Sequence, residues 1–247
     1  MGKSFFVKHS ASEITQKLVT KAVFDYNLIE DGDSILIAVS GGKDSSVLSW
    51  ALSSARYSIK KDYKLLAVHI STDFCNCCSK GPLRSRLNSW DIEFEDIFVP
   101  VTGRLKAGRK MNCYWCSTQR RGELISFALK NNCNKIALGH HLDDILETYF
   151  MNITQSGILR GMPARIDYNK YPVTLIRPLA YLEEKQVIAC ANEQGILKAV
   201  CTCPYGLASK RRAIRSSIAD FTGGNSAVKR RIFAAFENQH TEKINFF

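Results

Sequence analysis

The sequence predicts an α/β fold with a parallel sheet, and three features carry that expectation. Short β-rich apolar runs alternate with helical stripes along most of the chain. One such run opens directly into a glycine pair and a helix start. Another opens into a His-His-Leu-Asp-Asp turn that begins the clearest amphipathic helix of the sequence. In chain order, a leading helix over 12–28 precedes a strand at 34–39. A helix over 43–55 follows, with Val47, Leu48, Ala51, Leu52 and Ala55 on one face. Strands are expected at 65–70 and 96–99, then a helix over 119–129 carrying Leu124, Ile125, Ala128 and Leu129. After a strand at 135–138, Leu142, Ile145, Leu146, Tyr149, Phe150 and Ile153 trace a helical stripe. A strand at 173–176 and helices near 183–194, 207–221 and 228–236 close the chain, the last two broken by the Gly223-Gly224-Asn225 turn. The expected organisation is an N-terminal helical extension over 1–33, an α/β domain over 34–200 that carries the CxxC, and a basic helical region over 201–247.

At 247 residues and 45% hydrophobic, the chain can bury one sizeable core. No stretch approaches the roughly 20 apolar residues of a membrane helix, and residues 1–10 lack the apolar run of a signal peptide, so a cytoplasmic protein with no membrane partner is expected. In that reducing compartment the nine cysteines point to metal or catalytic chemistry rather than to disulfides. A net charge of +11 suits a polyanionic partner. Between Ile97 and Gly122 stand six basic residues (Arg104, Lys106, Arg109, Lys110, Arg120, Arg121) and no acid. The tail repeats the bias at Lys210, Arg211, Arg212 and Arg215, then Lys229, Arg230 and Arg231. Each run alone is equally well a solvated helix face, but two runs beside a cysteine motif favour RNA.

Strand 34–39 runs straight into Ser40-Gly41-Gly42-Lys43-Asp44-Ser45 at the start of a helix. Glycines let backbone N–H groups approach oxygen atoms, the helix start adds partial positive charge, and Ser40, Lys43 and Ser45 add donors, so the segment suits a phosphate. A capped βα turn alone would not require a lysine, which opposes the helix dipole unless an anion offsets it. A Walker A loop is excluded, because Ile37 and Asp44 stand where that motif needs Gly and Ser or Thr. Ser-Gly-Gly-Lys-Asp-Ser resembles the PP-loop of the adenine nucleotide alpha-hydrolase superfamily. That resemblance implies a Rossmann-like domain that cleaves ATP between its α and β phosphates.

Cys113-Tyr-Trp-Cys116 is a CxxC pair, and Cys201-Thr-Cys203-Pro-Tyr lies about 90 residues on. Together they offer three or four thiolates for zinc or an iron-sulfur centre, which ligand type alone does not separate. Cys113-Tyr-Trp-Cys116 with Arg120-Arg121-Gly122, Ala137-Leu-Gly-His-His-Leu-Asp-Asp-Ile-Leu146, Gly161-Met-Pro163 and Ile176-Arg-Pro-Leu-Ala180 resemble successive blocks of the tRNA 2-thiocytidine synthetases, which are related to the tRNA 2-thiouridine synthetases. The resemblance covers Ser34 to Tyr205. It implies a 4Fe-4S cluster on Cys113, Cys116 and a later cysteine, Cys203 by its Cys-Pro-Tyr context with Cys201 as the alternative. It also implies ATP and Mg²⁺, a tRNA substrate with 2-thiocytidine as product, a sulfide or persulfide donor such as a cysteine desulfurase, and a homodimer. The chain departs from the related 2-thiouridine enzymes in lacking their flanking zinc-finger cysteines, and Cys75, Cys77 and Cys78 are not part of the pattern. That cluster would relay sulfur, bind another metal or remain as reduced thiols, while Cys133 and Cys190 sit on helical patterns as small core residues.

Gly139-His140-His141-Leu142-Asp143-Asp144 also follows a strand and opens a helix. Acids in a first helical turn are ordinary caps, yet in a parallel sheet this loop shares the C-terminal edge with the phosphate loop. In the PP-loop enzymes that the chain resembles the corresponding motif lies beside ATP, which implies that Asp143 or Asp144, with Asp44, holds Mg²⁺ or positions the reaction and that Gly139 and His140 border the nucleotide or substrate. The enzymatic rivals are another PP-loop adenylation, such as 2-thiouridine synthesis, amidation or lysine ligation, with a structural zinc. The non-enzymatic rival is a nucleotide-binding redox sensor.

Overall fold

The computed structural model describes residues 9–74, 80–196 and 208–241. Cys75, Cys77, Cys78, Cys201 and Cys203 lie outside the described residues. The strands are β1 (Asp33–Ala38), β2 (Tyr63–Thr72), β3 (Glu93–Val99), β4 (Lys135–Ala137), β5 (Arg165–Asp167) and β6 (Thr174–Ile176). The helices are α1 (Ala11–Asp25), α2 (Lys43–Ser54), α3 (Arg56–Ile59), α4 (Lys80–Ser89), α5 (Cys113–Lys130), α6 (Leu142–Ser156), α7 (Glu184–Glu193), α8 (Ala208–Thr222) and α9 (Ser226–Thr241). They build one sheet in the order β3-β2-β1-β4-β6-β5, parallel throughout except for the antiparallel edge pair β5–β6.

Alternation along β1 sorts the core into two layers. Ile35 and Ile37 enter the larger cluster, shared with Leu48 and Leu52 of α2, Ile145 of α6, Val187 of α7 and Phe233 and Phe236 of α9. Leu36 points to the other face, where it meets Val68, Ile136 and the α5 residues Ile125 and Ala128. Helix α1 enters through Val19, Ala22 and Val23, so the N- and C-terminal helices share one core with the central domain. Phe233 packs against Tyr26 and Tyr181 at ring distances of 6.2 and 6.0 Å, and Phe236 against Tyr149 at 4.7 Å. A side chain on Gly161 would collide with the Phe236 ring, so that loop depends on its glycine to let α9 close down.

The topology brings two distant loops together. Helix α2 covers one face and α5 the other; after β1 the chain adds β2 and β3 on one side, then crosses back to place β4 on the other, which opens a crevice at the C-terminal edge between β1 and β4. Ile37 is level with Ala137 in the register, so the turns that follow both strands start at the same height. A Cβ on Gly139 would lie 3.0 Å from Asp44 C and Ser45 N, which means the second loop rests directly on the backbone of the first.

Four elements differ from the sequence expectation, the first being α3, a single helical turn directly after α2 that no apolar stripe announces. Helix α5 starts at Cys113 rather than at 119, because Asn112 caps the N–H of Trp115 at 2.8 Å and draws the CxxC into the first helical turn. Helix α4 buries little more than Leu83 and Leu87, too sparse a stripe to read. Strand β5 has three residues and forms as the edge partner of β6.

Candidate active site

The phosphate loop has the local form its residues dictate. Gly41 sits at φ +80°, a left-handed conformation that a side chain would strain. Gly42 caps α2 with extended backbone and no side-chain oxygen, which leaves the first-turn N–H groups to serve an anion. Ser45 Oγ organises the turn: it accepts from Ser40 N–H at 3.1 Å and donates to Gly42 O at 3.1 Å. Lys43 Nζ lies 2.9 Å from Asp44 Oδ1 and 3.3 Å from Glu184 Oε1. Burial alone would lower the Lys43 pKa, but these two carboxylates hold it above the ordinary lysine value. The lysine is therefore a fixed cation beside the turn.

The loop after β4 divides the two aspartates. His141 is buried and caps α6: its Nδ1 accepts from Asp144 N–H at 3.4 Å while Asp144 Oδ2 accepts from His141 N–H at 3.2 Å. With Nδ1 an acceptor, the neutral ring carries its proton on Nε2, which lies 3.4 Å from Asp144 Oδ2 and 3.9 Å from Asp44 Oδ1. One imidazole is thus flanked by Asp44 and Asp144, and both border the cleft described below. Asp143 turns the other way. Lys229 of α9 donates to its Oδ1 at 2.6 Å and Glu184 N–H to its Oδ2 at 2.6 Å, beside a smaller cavity of about 200 Å³ lined by Glu147, Glu183, Arg215 and Lys229. Burial would raise the Asp143 carboxyl, yet the Lys229 and Glu184 hydrogen bonds hold it below the usual carboxylate range. Of the two expected acids, Asp144 faces the cleft and Asp143 anchors the C-terminal helices.

The cleft, about 780 Å³, runs from Ser40, Asp44 and Ser45 past Gly139, His140 and Asp144 to Arg177. Its far wall comes from Ser117, Arg120, Arg121 and Leu124 of α5 and Arg211 of α8. These positions repeat at helical spacing, and Cys113 stands one turn earlier on the same stripe of α5. Cys116 packs beside the cluster of Ile70, Val99 and Val101 at the strand ends, where Ile70 also borders the cleft. Cys113 is exposed and Cys116 half-buried, one helical turn apart at the positive end of the helix, an arrangement suited to a metal or sulfide. Cys133 and Cys190 are buried core residues, as expected. Among the described residues no group of three His, Cys, Asp or Glu side chains is arranged to hold a metal ion, and the third expected thiolate, Cys203 or Cys201, lies outside them.

The sequence offers no site role for His141 or Arg177, and Arg211 reads there only as one member of the basic run expected to meet RNA. His141 reads as the neighbour of a better candidate, and only the capping geometry reveals its contact with both acids. Arg177 stands within the Ile176-Arg-Pro-Leu-Ala180 block, which offered a signal without a role. His140, by contrast, was expected and does border the cleft. Burial, then the charges of Arg177, Arg211, His141 and Arg121, push its pKa down to about 3, so it is neutral at physiological pH.

A family model described as a PP-loop domain matches residues 8–220. The chain is 35% identical over 238 residues to a tRNA-cytidine(32) 2-sulfurtransferase of Geobacter sulfurreducens, covering 94% of this chain and 92% of that one. It is 38% identical over 192 residues to the enzyme of that name from Syntrophotalea carbinolica, covering 76% and 74%. Among solved structures, the U34-tRNA thiolase NcsA from Methanococcus maripaludis with its [4Fe-4S] cluster has the same fold, with a TM-score of 0.78, 21% identity and coverage of 93% of this chain and 78% of that one. With the phosphate loop, the acidic turn and the CxxC helix all converging on one cleft, the chain belongs to the PP-loop family and, within it, to the tRNA 2-thiocytidine synthetase family.

Proposed function

We propose that this chain is an ATP-dependent tRNA sulfurtransferase that replaces the C2 oxygen of a cytidine by sulfur. One observation supports the reading above the others: the helix that presents Cys113 and Cys116 also lines the cleft entered by the phosphate loop. The helix that carries the CxxC thus borders the cavity that the phosphate loop enters, which supports adenylation and sulfur delivery in one place.

The phosphate loop N–H groups and Lys43 bind the β and γ phosphates of ATP and stabilise the charge that develops as pyrophosphate leaves. The cytidine C2 oxygen attacks the α phosphorus, forming an O–P bond as the bond to pyrophosphate breaks. Asp44 and Asp144 would hold Mg²⁺, which when bound offsets charge on the phosphate oxygens. His141 fixes Asp144 through the helix cap and sets its Nε2 between the two carboxylates. A sulfide nucleophile then adds at C2 and the C2–O bond breaks, releasing AMP. Cys113, Cys116 and Cys203, with Cys201 as the alternative, would hold the 4Fe-4S cluster: two thiols one turn apart fit its donor set, and when bound it supplies sulfur at the cleft. The arginines of the far wall hold the RNA, and the cleft walls shield a hydrolysable adenylate from water. The sulfur comes from a sulfide or persulfide donor such as a cysteine desulfurase, and the enzyme works in the cytoplasm as a homodimer. Among the described residues no helix is long and apolar enough to cross a membrane.

The test is anaerobic incubation of iron-reconstituted protein with unmodified tRNA, Mg-ATP and sulfide, with mass spectrometry of the digested nucleosides. A 2-thiocytidine product supports the reading, whereas no thiolated base from protein that binds ATP and holds its cluster sinks it. Cys113→Ala is expected to abolish the product and leave ATP affinity unchanged.

A further inference from the structure

Arg177 follows β6 and is only 5% exposed, yet it borders the cleft. Its Nε donates to His140 Nδ1 at 3.4 Å and its Nη1 to the carbonyl of Pro163. Among the described residues no carboxylate lies within ion-pair distance of this guanidinium. The acidic groups that act on it are Tyr168 and Glu237 of α9, and burial pushes the Glu237 carboxyl up to about 7, so the carboxylate countercharge is incomplete at neutral pH. Arg121 and Arg211 border the same cleft and add like charge. A buried cation among further cations costs free energy that an anionic ligand would recover. His140, with Nδ1 engaged by Arg177, carries its own proton on Nε2 and adds a neutral donor. The phosphate loop does not account for this wall: Arg177 follows β6, two strands away from β1, or roughly 10 Å at the usual strand spacing.

We propose that Arg177, His140, Arg121 and Arg211 form a second phosphate site in the cleft, distinct from the phosphate loop, that takes a backbone phosphate of the RNA beside the base to be modified. The inference rests on the sulfurtransferase reading and adds the place where the substrate is gripped. A phosphate here fixes the register of the strand, so that one base reaches the adenylation centre. Arginine suits the task because its planar fork meets two phosphate oxygens at once.

The test compares wild-type protein with Arg177→Lys and with the double variant Arg121→Gln/Arg211→Gln, whose two positions are exposed and tolerate change without unfolding. Dissociation constants are measured for unmodified tRNA between 50 and 200 mM salt and, separately, for a non-hydrolysable ATP analogue, so neither readout depends on turnover. The proposal expects tRNA binding about fivefold or more weaker in both variants, with a salt slope shallower by about 0.7–0.9 per lost phosphate contact in the double variant, and unchanged affinity for the ATP analogue. Unchanged tRNA affinity and slope in the double variant would overturn it, even if Arg177→Lys failed to fold. Weaker binding of the ATP analogue with tRNA binding intact would overturn it too, by assigning the arginines to the nucleotide's phosphates. A wild-type protein that bound no tRNA at all would instead overturn the sulfurtransferase reading beneath it.

Discussion

Asp143 and Asp144 are neighbours in sequence with opposite surroundings, and substitution separates them. Asp144→Asn removes a carboxylate from the cleft and leaves the cap partner of His141 in place, so thiolation is expected to fall by two or more orders of magnitude with little change in Tm. Asp143→Asn breaks the contact with Lys229 and leaves a half-paired ammonium, which costs about 1–3 kcal/mol and lowers Tm by several degrees, while folded protein keeps most of its activity. Thermal melts beside single-turnover thiolation check both. Glu237 supplies a pH signature. Its folded pKa of about 7 lies above its ordinary 4.5, so the native state holds that proton more tightly than the unfolded chain. Stability from this group is lost as pH rises from 4.5 through 7. Glu237→Gln is therefore expected to match wild type near pH 4.5 and to exceed it by on the order of 1–2 kcal/mol above pH 7, measured by urea unfolding across that range. His140 acts in the opposite sense: with a folded pKa of about 3 it resists protonation, and its contribution is lost as pH falls below about 6.5.

At the level of elements, the two loops are legible because each is local: a strand, a glycine and a helix start are consecutive in sequence. Their contact is not. Gly139→Ala would push its Cβ into the Asp44–Ser45 backbone, so a loss of ATP affinity of tenfold or more is expected at a stability cost of about 1–3 kcal/mol, by calorimetry with the ATP analogue and by thermal melts. The start of α5 is not legible in the sequence, because the helix opens on Cys-Tyr-Trp-Cys before its apolar stripe begins and only the Asn112 cap marks it. The split between Asp143 and Asp144 was unreadable for a different reason: Lys229, which turns Asp143 away, stands 86 residues later. Arg177 likewise gains its meaning from His140 across two strand ends. Local chemistry was visible in the residues, whereas side-chain direction was set by partners that only the sheet order assembles.

For the whole molecule, the core determines what can be removed. Ile218, Phe233 and Phe236 are buried in the same cluster as Ile35 and Leu48, so α8 and α9 complete the body rather than decorate it. A chain ending before residue 208 would expose Tyr26, Tyr149 and Tyr181 and strip Lys229 from Asp143. Truncation there is expected to give aggregated protein without a cooperative melt.

The pairing of β1 with β4 also bears on how the chain folds. The strands are separated by about 100 residues of intervening chain, so closing them carries a large loop entropy that no local turn can offset early. During synthesis the glycine turn after β1 emerges long before Gly139 can rest upon it, and the nucleotide seat does not exist until β4 docks. ATP can then bind only the late, nearly native chain, and it drives that last step by mass action.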